Sequence, residues 1–468
     1  MAISTFMGLE TALRGLMAQQ QALDITGQNI TNASTPGYTR QSVSLATTPG
    51  IQTSPGVLLG TGVTVTGYQR IRDAFLDVQY RAQNMLQGSA QASENGLGQV
   101  ENVINEPSST GLNSLLSAYW SAWQSVSNQP QDMAARQGLV EAATSLAQGF
   151  NSISSQLSTI QSQTSQNIDL TVAQINADGA TIQKLNTAIA TATANGNSPN
   201  DLLDQRDSAL DDLSSLGSVS SVNNSDGTIT VSIDGVTLTD GTTGYNVSVS
   251  GDTISNDKST PDSATVSPTA GKLGALIAFN GTTVPGYQTQ LNTIANTLIT
   301  QTNAIQAGGT DVNGVTQAGG FGLDGSSGVA FFSGTDATDI GVTVTAAQVA
   351  AASAAGSPGD NSNAMAMADI QNDPTLVPLN GATIDGAYNQ LVTAIGSDSQ
   401  AAQRSTANAN VIVQSIQNQR DSVSSVSIDE EMTNLVKFQQ GYQASARALT
   451  TMDDVLELLI TRTGRVGL

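Results

Sequence analysis

The sequence of 468 residues contains no histidine and no cysteine. These absences exclude Ser-His-Asp and Cys-His catalysis, zinc sites built on histidine or cysteine, iron–sulfur clusters and haem bound through histidine. Disulfides are excluded too, although a lack of cysteine does not by itself fix the compartment. We therefore expect no catalytic residues, no metal site and no cofactor.

Charged and aromatic residues are scarce, at 12% and 4% of the chain. Much of the remainder is Ser, Thr, Asn, Gln, Ala and Gly, which gives a surface suited to wide contacts between subunits. A low-complexity or partly disordered chain is the alternative. The 38% of hydrophobic residues, recurring at helical spacing, favour a folded chain. The length predicts two to four domains.

The net charge of −22 is unevenly distributed. Segment 1–60 is neutral and segment 429–468 carries −2, so the centre, 61–428, holds −20. This balance argues against a nucleic-acid partner. It also predicts ends that pack among subunits and a centre that faces solvent, although ordinary solubility would explain the acidic centre equally well.

Nothing in the sequence predicts membrane insertion. No apolar run approaches the roughly 18–20 residues that a spanning helix needs. Glu10 and Arg14 interrupt any signal-peptide core, and no basic cluster precedes it. We expect export, if it occurs, to use no cleaved Sec signal.

Both ends of the chain show a heptad spacing of alternating threes and fours. The N-terminal positions are Phe6, Leu9, Leu13, Leu16, Gln20, Leu23, Gly27 and Ile30. The C-terminal positions are Leu435, Phe438, Tyr442, Ser445, Leu449, Met452, Leu456 and Leu459. The spacing predicts two amphipathic helices, the first of which ends near Asn32 because a Ser-Thr-Pro-Gly cluster follows. The helices could pair with each other or pack on a globular core, and periodicity alone leaves both open.

The middle of the chain is predicted to be helical with a β-rich interruption. Helices are expected over 71–105, 112–165, 164–192, from Pro285 onward, and over 386–424, with Phe75, Val78, Met85 and Leu86 on apolar positions. Trp120 and Trp123 are expected to pack between helices. Residues 226–254 alternate in hydrophobicity and contain three Asp-Gly turn signals, which predicts a small β domain.

Several motifs that could carry chemistry have simpler explanations. Residues 320–325 match G-x-G-x-x-G, but no strand precedes and no helix follows, so a loop is expected. Residues 311–314 resemble a fragment of a calcium loop without its later ligands. The run Asp201, Asp204, Asp207, Asp211 and Asp212 alternates with leucines and is expected on the solvated side of a helix.

One segment carries a specific resemblance. Residues 29–41, NITNASTPGYTRQ, resemble the turn signature of flagellar rod, hook and hook-associated proteins, with Asn29, Asn32, Pro36, Gly37 and Tyr38 as its motif residues. The PGYTRQ portion resembles the FlgK family of hook-associated proteins more than the rod or hook proteins. Segments 200–207, 271–276 and 424–447 are similar to that family as well.

The resemblance implies a mainly α fold with inserted β structure: an elongated multidomain rod with paired N- and C-terminal coiled-coil helices, a central helical bundle and a small β-rich outer domain. The implied domains are 1–60 with 425–468 as the axial core, 61–215 with 269–424 as the helical rod, including a Gly-rich excursion at 307–345, and 216–268 as the inserted β domain.

The implied function is that of a self-assembling structural subunit of the bacterial flagellum, secreted and located at the hook–filament junction, and not an enzyme. The implied partners are hook protein, the second hook-associated protein FlgL, copies of the chain itself, the flagellar type III export apparatus, and an export chaperone of the FlgN type on the C-terminal helix. The expected assembly interface is Phe6, Leu9, Leu13, Leu16, Leu23, Ile30, Leu435, Phe438, Tyr442, Leu449, Met452, Leu456 and Leu459.

Three alternatives remain at this stage. Another flagellar axial protein, of the FlgL or hook type, would share the terminal helices. A secreted adhesin would bind a ligand without polymerising. A glycan-cleaving enzyme would need a pair of carboxylates, and 38 acidic residues supply chance pairs in any fold.

Overall fold

The computed structural model describes residues 6–54, 57–258 and 265–463. Its helices follow the sequence periodicity closely, and the first ends at Asn32, as predicted. The helices are α1 Met7–Asn32, α2 Ala74–Ile104, α3 Leu112–Asn128, α4 Met133–Ala194, α5 Asn200–Leu216, α6 Gly271–Ala278, α7 Val284–Ala307, α8 Ser362–Asp369, α9 Ile384–Ser424 and α10 Ile428–Thr463.

The strands form small antiparallel sheets. They are β1 Gln41–Thr47, β2 Ile51–Ser54, β3 Val57–Leu59, β4 Val63–Arg70, β5 Val219–Asn223, β6 Ile229–Ile233, β7 Val236–Asp240, β8 Thr243–Gly244, β9 Val247–Ser250, β10 Thr253–Asn256, β11 Gly309–Thr310, β12 Thr316–Gln317, β13 Phe332–Ser333 and β14 Gly341–Val342. Strands β5 to β8 make a four-stranded meander, and the others pair as β1–β4, β2–β3, β9–β10, β11–β12 and β13–β14.

Helix α4 is the spine of the fold. It runs for 62 residues, which corresponds to roughly 93 Å at the rise of an α-helix. Its second half buries one isoleucine per heptad, at Ile168, Ile175, Ile182 and Ile189, beside the buried polar residues Thr164, Thr171 and Asn186. The elongated, mainly helical fold that the resemblance implied is confirmed.

An aromatic cluster centres the first hydrophobic core, which joins α2, α3, α4, α7 and α9. Tyr119 and Trp123 of α3 contact Phe331, and the rings of Trp123 and Phe331 lie 5.4 Å apart. Tyr119 also contacts Phe332 and the ring of Trp120. The predicted packing of the two tryptophans is confirmed, although part of their cover comes from the loops that follow α7 rather than from a helix. This cluster contains a large share of the chain's few aromatic residues.

The second core lies between the β meander and helices α4, α5 and α6. Ile229, Val231 and Ile233 alternate inward from β6, as the hydrophobic pattern predicted. All three predicted Asp-Gly turns are present, with their glycines at positive φ. Because the strands share this core with helices, the β-rich region is anchored on the rod along its length. The limits of 216–268 remain our proposal, and 259–264 lie outside the described residues.

One segment was left without a prediction, and one local prediction was wrong. Strands β1 to β4 lie between residues 41 and 70, for which the sequence predicted no element. Phe75, Val78 and Leu86 of α2 are exposed rather than buried. The buried residues of α2 are Asp77, the small residues Ala90, Ala92 and Gly96, and then Leu97, Val100 and Ile104. Gly96 lies directly against the ring of Phe279. Large apolar side chains near the start of α2 therefore do not mark its packing face.

The glycine-rich segment 320–325 is a loop, in agreement with the sequence analysis. Its amide groups are used internally: Phe321 N donates to Ala352 O, and Leu323 N donates to Ala347 O at 2.7 Å. A phosphate would find few free N–H groups along it.

Asp234, in the turn between β6 and β7, provides a stability prediction. Its carboxylate Oδ2 is buried without a hydrogen-bond partner, and burial raises its pKa to about 6. The residue also has φ of 48° before Gly235, which asparagine adopts more readily than other residues. We expect Asp234→Asn to keep the Oδ1 bond to Ser218 N and to stabilise the fold by about 1–2 kcal/mol at pH 7.

The pH dependence of the free energy of unfolding tests whether the buried charge of Asp234 causes this effect. A buried acid whose folded-state pKa is raised loses stability as the pH rises from its unfolded pKa, roughly 4, towards its folded value. Urea denaturation should therefore show an advantage for the variant above pH 6 that shrinks as the pH falls to 4. An advantage of equal size at both pH values would point to turn geometry alone.

Candidate assembly interface

Helices α1 and α10 form an antiparallel pair in the single chain. Gly8 lies against Met452, Gly15 against Ser445, and Gly441 against Gln19. Residue numbers on α10 fall by the same steps as they rise on α1, so the register is unbroken over this length. Pairing of the two ends, which the periodicity left open, is confirmed.

The face of α1 that makes this pair differs from the predicted seam, because Gly8, Gly15 and Gln19 are the positions that lie against α10. The buried residues of α1, which β1 and β4 also cover, are Ala18, Ala22, Ile25, Thr26 and Asn29. The predicted leucines, such as Leu9 beside Gly8, come one residue later and so lie roughly 100° round the helix. Small side chains let the two backbones approach closely, and the leucines are turned partly away from α10.

The leucine-bearing face of α1 is therefore incompletely covered. Phe6 is 62% exposed and Leu13 is 37% exposed, and the remaining predicted positions, Leu9, Leu16, Leu23 and Ile30, are half-buried. On α10, Met452 is exposed and the other predicted apolar positions whose side chains are described, Leu435, Phe438, Tyr442, Leu449 and Leu456, are half-buried. The side chain of Leu459 lies outside the described residues.

The turn motif after α1 locks the two terminal helices together through Asn29, which is 1% exposed. Its Nδ2 donates to Gln41 O at 2.9 Å and to Glu431 Oε2 on α10 at 3.0 Å. Its Oδ1 accepts from Tyr38 Oη at 2.9 Å and from Gln41 N at 3.0 Å. Since an asparagine side chain offers two donors and an acceptor in one plane, this set of bonds explains the residue type.

A charge pair reinforces the lock. Glu431 is buried, and its Oε1 accepts from Arg40 Nε at 2.7 Å. Arg40 Nη1 also reaches Glu430 Oε2 at 3.0 Å. A buried carboxylate without such partners would be strongly destabilising. The acids at the start of α10 therefore serve as anchors for the motif as well as favouring the helix N-terminus.

The other motif residues shape the turn itself. Asn32 closes the end of α1, donating to Gln28 O and accepting from Thr35 Oγ1. Gly37 has φ of 78°, a conformation that favours glycine. Pro36 is exposed and ends the helix register.

Tyr38→Phe tests the lock. Burial, together with Asp201, Asp204 and Glu431, raises the pKa of Tyr38 to about 12, so the hydroxyl remains a donor at neutral pH. Removing it should cost about 1 kcal/mol in urea denaturation. Tyr442→Phe is the matched control, because the Tyr442 hydroxyl makes no hydrogen bond within the described part of the chain. Equal effects for the two variants would contradict the role assigned to Tyr38.

Behind the motif lies an arginine–aspartate network formed by Arg70, Arg72, Arg81, Arg420, Asp77, Asp204, Asp207 and Asp211. The prediction that the α5 aspartates face solvent holds for Asp201 and Asp212, which are exposed. It was wrong for Asp204, Asp207 and Asp211, which are largely buried. The leucines between them pack on one side of α5, and the aspartates meet arginines from other elements on the other.

Each arginine bridges two acids. Arg70 Nη1 lies 2.7 Å from Asp204 Oδ1 and 2.8 Å from Asp207 Oδ2. Arg420 of α9 lies 3.0 Å from Asp77 Oδ1 and 2.7 Å from Asp211 Oδ2. The network thus ties β4, α2, α5 and α9 at one place.

The network also reaches the turn motif. Asp204 accepts from Thr39 N at 3.0 Å and from Thr39 Oγ1 at 2.6 Å. Burial alone would raise the pKa of Asp207, but Arg72, Arg70 and Arg81 together hold it below its usual range. The terminal helix pair is therefore fixed to the helical rod through charged groups.

The sequence analysis missed the four arginines. The chain has only 16 basic residues, and Arg70 and Arg72 stand close together ahead of α2. The sequence carried no local signal for these pairs, because the arginines stand far along the chain from the aspartates of α5.

No helix among the described residues is long and apolar enough to cross a membrane. In the same part of the chain, no three acidic side chains are grouped so that they could hold a metal ion.

Comparison with known proteins identifies the family in which this arrangement of terminal helices occurs. A family model described as the flagellar hook-associated protein FlgK helical domain matches residues 97–332. Flagellar hook-associated protein 1 of Bacillus subtilis (strain 168) is 32% identical, over 99% of both chains. The chain belongs to the FlgK family of flagellar hook-associated proteins.

Two further family models match the ends that form the terminal pair. The flagella basal body rod protein model matches residues 9–39, and the flagellar basal body rod FlgEFG protein C-terminal model matches residues 413–462. Flagellar hook-associated protein 1 of Escherichia coli (strain K12) is 26% identical, over 97% of this chain and 99% of its own. As a member of the FlgK family, the chain is a structural protein of the flagellum.

The fold also matches a solved structure, the flagellar hook junction protein FlgK from Burkholderia pseudomallei. The TM-score is 0.62 at 19% sequence identity, covering 74% of this chain and all of that one.

Proposed function

We propose that this FlgK-family chain assembles at the hook–filament junction and connects the hook to the filament. The observation that carries the proposal is the incompletely covered leucine face of α1 on a helix pair that is locked to a rigid rod. Within one chain, α1 packs its small residues against α10. Its larger apolar residues keep exposed surface for contacts between subunits, where burial of that remaining surface would contribute part of the roughly 1.5–3 kcal/mol that full burial of such a side chain gives.

The proposed assembly interface consists of the terminal positions predicted from the sequence. On α1, Phe6 and Leu13 offer the most uncovered surface of these positions. The motif residues Asn29 and Tyr38 act indirectly, because they hold α1 against α10 and so set the direction in which the leucine face points. The Burkholderia protein is named as a hook junction protein, which supports this location.

The individual partner proteins are also part of the proposal. The chain would contact hook protein, FlgL and copies of itself, and would leave the cell through the flagellar type III apparatus. An FlgN-type chaperone would cover α10 before export, since that helix exposes Met432, Val436 and Leu458 in addition to its half-buried seam. We propose a structural role without catalysis.

A deletion strain tests the location. Electron microscopy of cells lacking the chain should show hooks without filaments, and flagellin should accumulate in the medium. Complementation with the full chain should restore filaments. Normal filaments on motile deletion cells would refute the junction role and would favour the adhesin alternative, whose loss should affect attachment and not swimming.

A further inference from the structure

Arg136, in the first turn of α4, is 1% exposed but has only neutral partners. Its Nε donates to Pro130 O at 2.7 Å, and its Nη1 donates to Val349 O. It forms no ion pair with any residue that the structure describes. A buried cation that meets only carbonyl oxygens has lost its hydration without gaining an opposite charge.

The guanidinium retains unused donors in a useful arrangement. Of its five N–H groups, two serve the carbonyls, and Nη2 makes no hydrogen bond with any described residue. Nη2 therefore keeps two free N–H groups and Nη1 keeps one. Neighbouring free N–H groups of a guanidinium can bind the two oxygens of a carboxylate.

A cavity of about 230 Å³ lies beside Arg136. Its lining includes the apolar side chains Phe321, Leu323 and Pro358, together with glycines and alanines that bring the backbone close. The N–H groups of Gly322 and Leu323 already donate to Ser326 O and Ala347 O. The cavity thus combines one charged fork with apolar walls and offers few further donors, which suits a carboxylate better than a phosphate.

We propose that Arg136 and this cavity form a binding site for a single carboxylate group on a short apolar stem. The ligand would be a small organic acid or an acidic side chain of a neighbouring protein. The site lies on the rod, at the start of α4, and does not depend on the junction role. Asp324 acts on the same group: burial lowers the pKa of Arg136, and the charge of Asp324 opposes this shift.

Titration calorimetry of the full-length chain with sodium butyrate at pH 7 tests the proposal, with sodium chloride and sodium phosphate at equal ionic strength as reference anions. Butyrate should bind at one site, and the reference anions should give only heat of dilution. Replacing Arg136 itself would also remove the bonds to Pro130 and Val349, so the test uses three other variants.

Ala354→Glu places a carboxylate at an exposed position of the cavity lining and should weaken butyrate binding about tenfold or more. Asp324→Asn keeps its bond from Ser326 N but removes the competing charge, and should tighten binding about threefold. Asp373→Asn makes the same change in a similar turn, at Thr375 N, outside the cavity lining, and should leave binding unchanged.

Heats for butyrate equal to those for chloride would overturn the proposal, as would equal affinity in the wild type and Ala354→Glu. If the free chain binds butyrate, a free small acid can occupy the site. If binding is present in the monomer and absent from assembled flagella, a neighbouring subunit's carboxylate fills the site.

Discussion

Cells that carry Leu13→Asp should make hooks without filaments, while the purified variant remains folded. Leu13 is 37% exposed in the single chain, so an aspartate at this position can keep its carboxylate in water in the monomer. In the assembly, each subunit would forgo burial of the exposed part, roughly 0.5–1 kcal/mol, and would also have to desolvate a carboxylate, which costs more. Because the defect repeats in every copy, assembly should fail. Electron microscopy and circular dichroism measure the two effects.

Gln20→Asp is the matched control. Gln20 stands one heptad after Leu13 on the same face of α1 and is already polar and exposed. The variant adds the same charge but removes no apolar surface, so it should retain filaments. Normal filaments with Leu13→Asp, or an equal loss with both variants, would show that the leucine content of this face does not drive assembly.

Asp207→Asn should lower the free energy of unfolding by about 3 kcal/mol, because it leaves Arg70, Arg72 and Arg81 facing one another with one charge fewer between them. Urea denaturation at pH 7, followed by far-ultraviolet circular dichroism, measures the change. Asp240→Asn is the control: Asp240 is 52% exposed and lies 3.9 Å from Lys258 Nζ, and such surface pairs contribute roughly 0–1 kcal/mol.

The pH dependence gives an independent check on the same residue. The pKa of Asp207 is lowered in the folded state, so the stability from its charge is present above its unfolded pKa, roughly 3.9, and is lost as the pH falls through the folded value. The difference between the wild type and Asp207→Asn should therefore shrink as the pH drops below 4. A constant difference would mean that packing, and not charge, causes the effect.

The sequence predicted the helices well because their periodicity is a local property. The end of α1 at Asn32 and the Asp-Gly turns of the β meander follow from turn chemistry that a few neighbouring residues determine. The pairing face of α1 could not be found in this way. Glycine carries no hydrophobic signal, yet Gly8 and Gly15 lie directly against Met452 and Ser445 of α10.

The arginine–aspartate network could not be predicted for a different reason. Arg420 and Asp77 are far apart in sequence, and their ion pair exists only because α9 packs beside α2. Local pattern therefore assigned the α5 aspartates to solvent. By contrast, the motif residues Asn29 and Tyr38 were identified through resemblance, and the structure supplies what the resemblance lacked: the four hydrogen bonds that make Asn29 specific.

The most direct test of the junction assembly uses the absence of cysteine from the chain. Leu13→Cys and Ser250→Cys, the latter exposed in β9 of the β-rich region, would each be expressed in the deletion strain. Intact flagella would be treated with maleimide–biotin and imaged with gold. We predict that Ser250→Cys gives a single band of gold between hook and filament, and that Leu13→Cys labels in the purified monomer but not in flagella. Gold spread along the hook or filament, or equal labelling at both positions, would contradict the account.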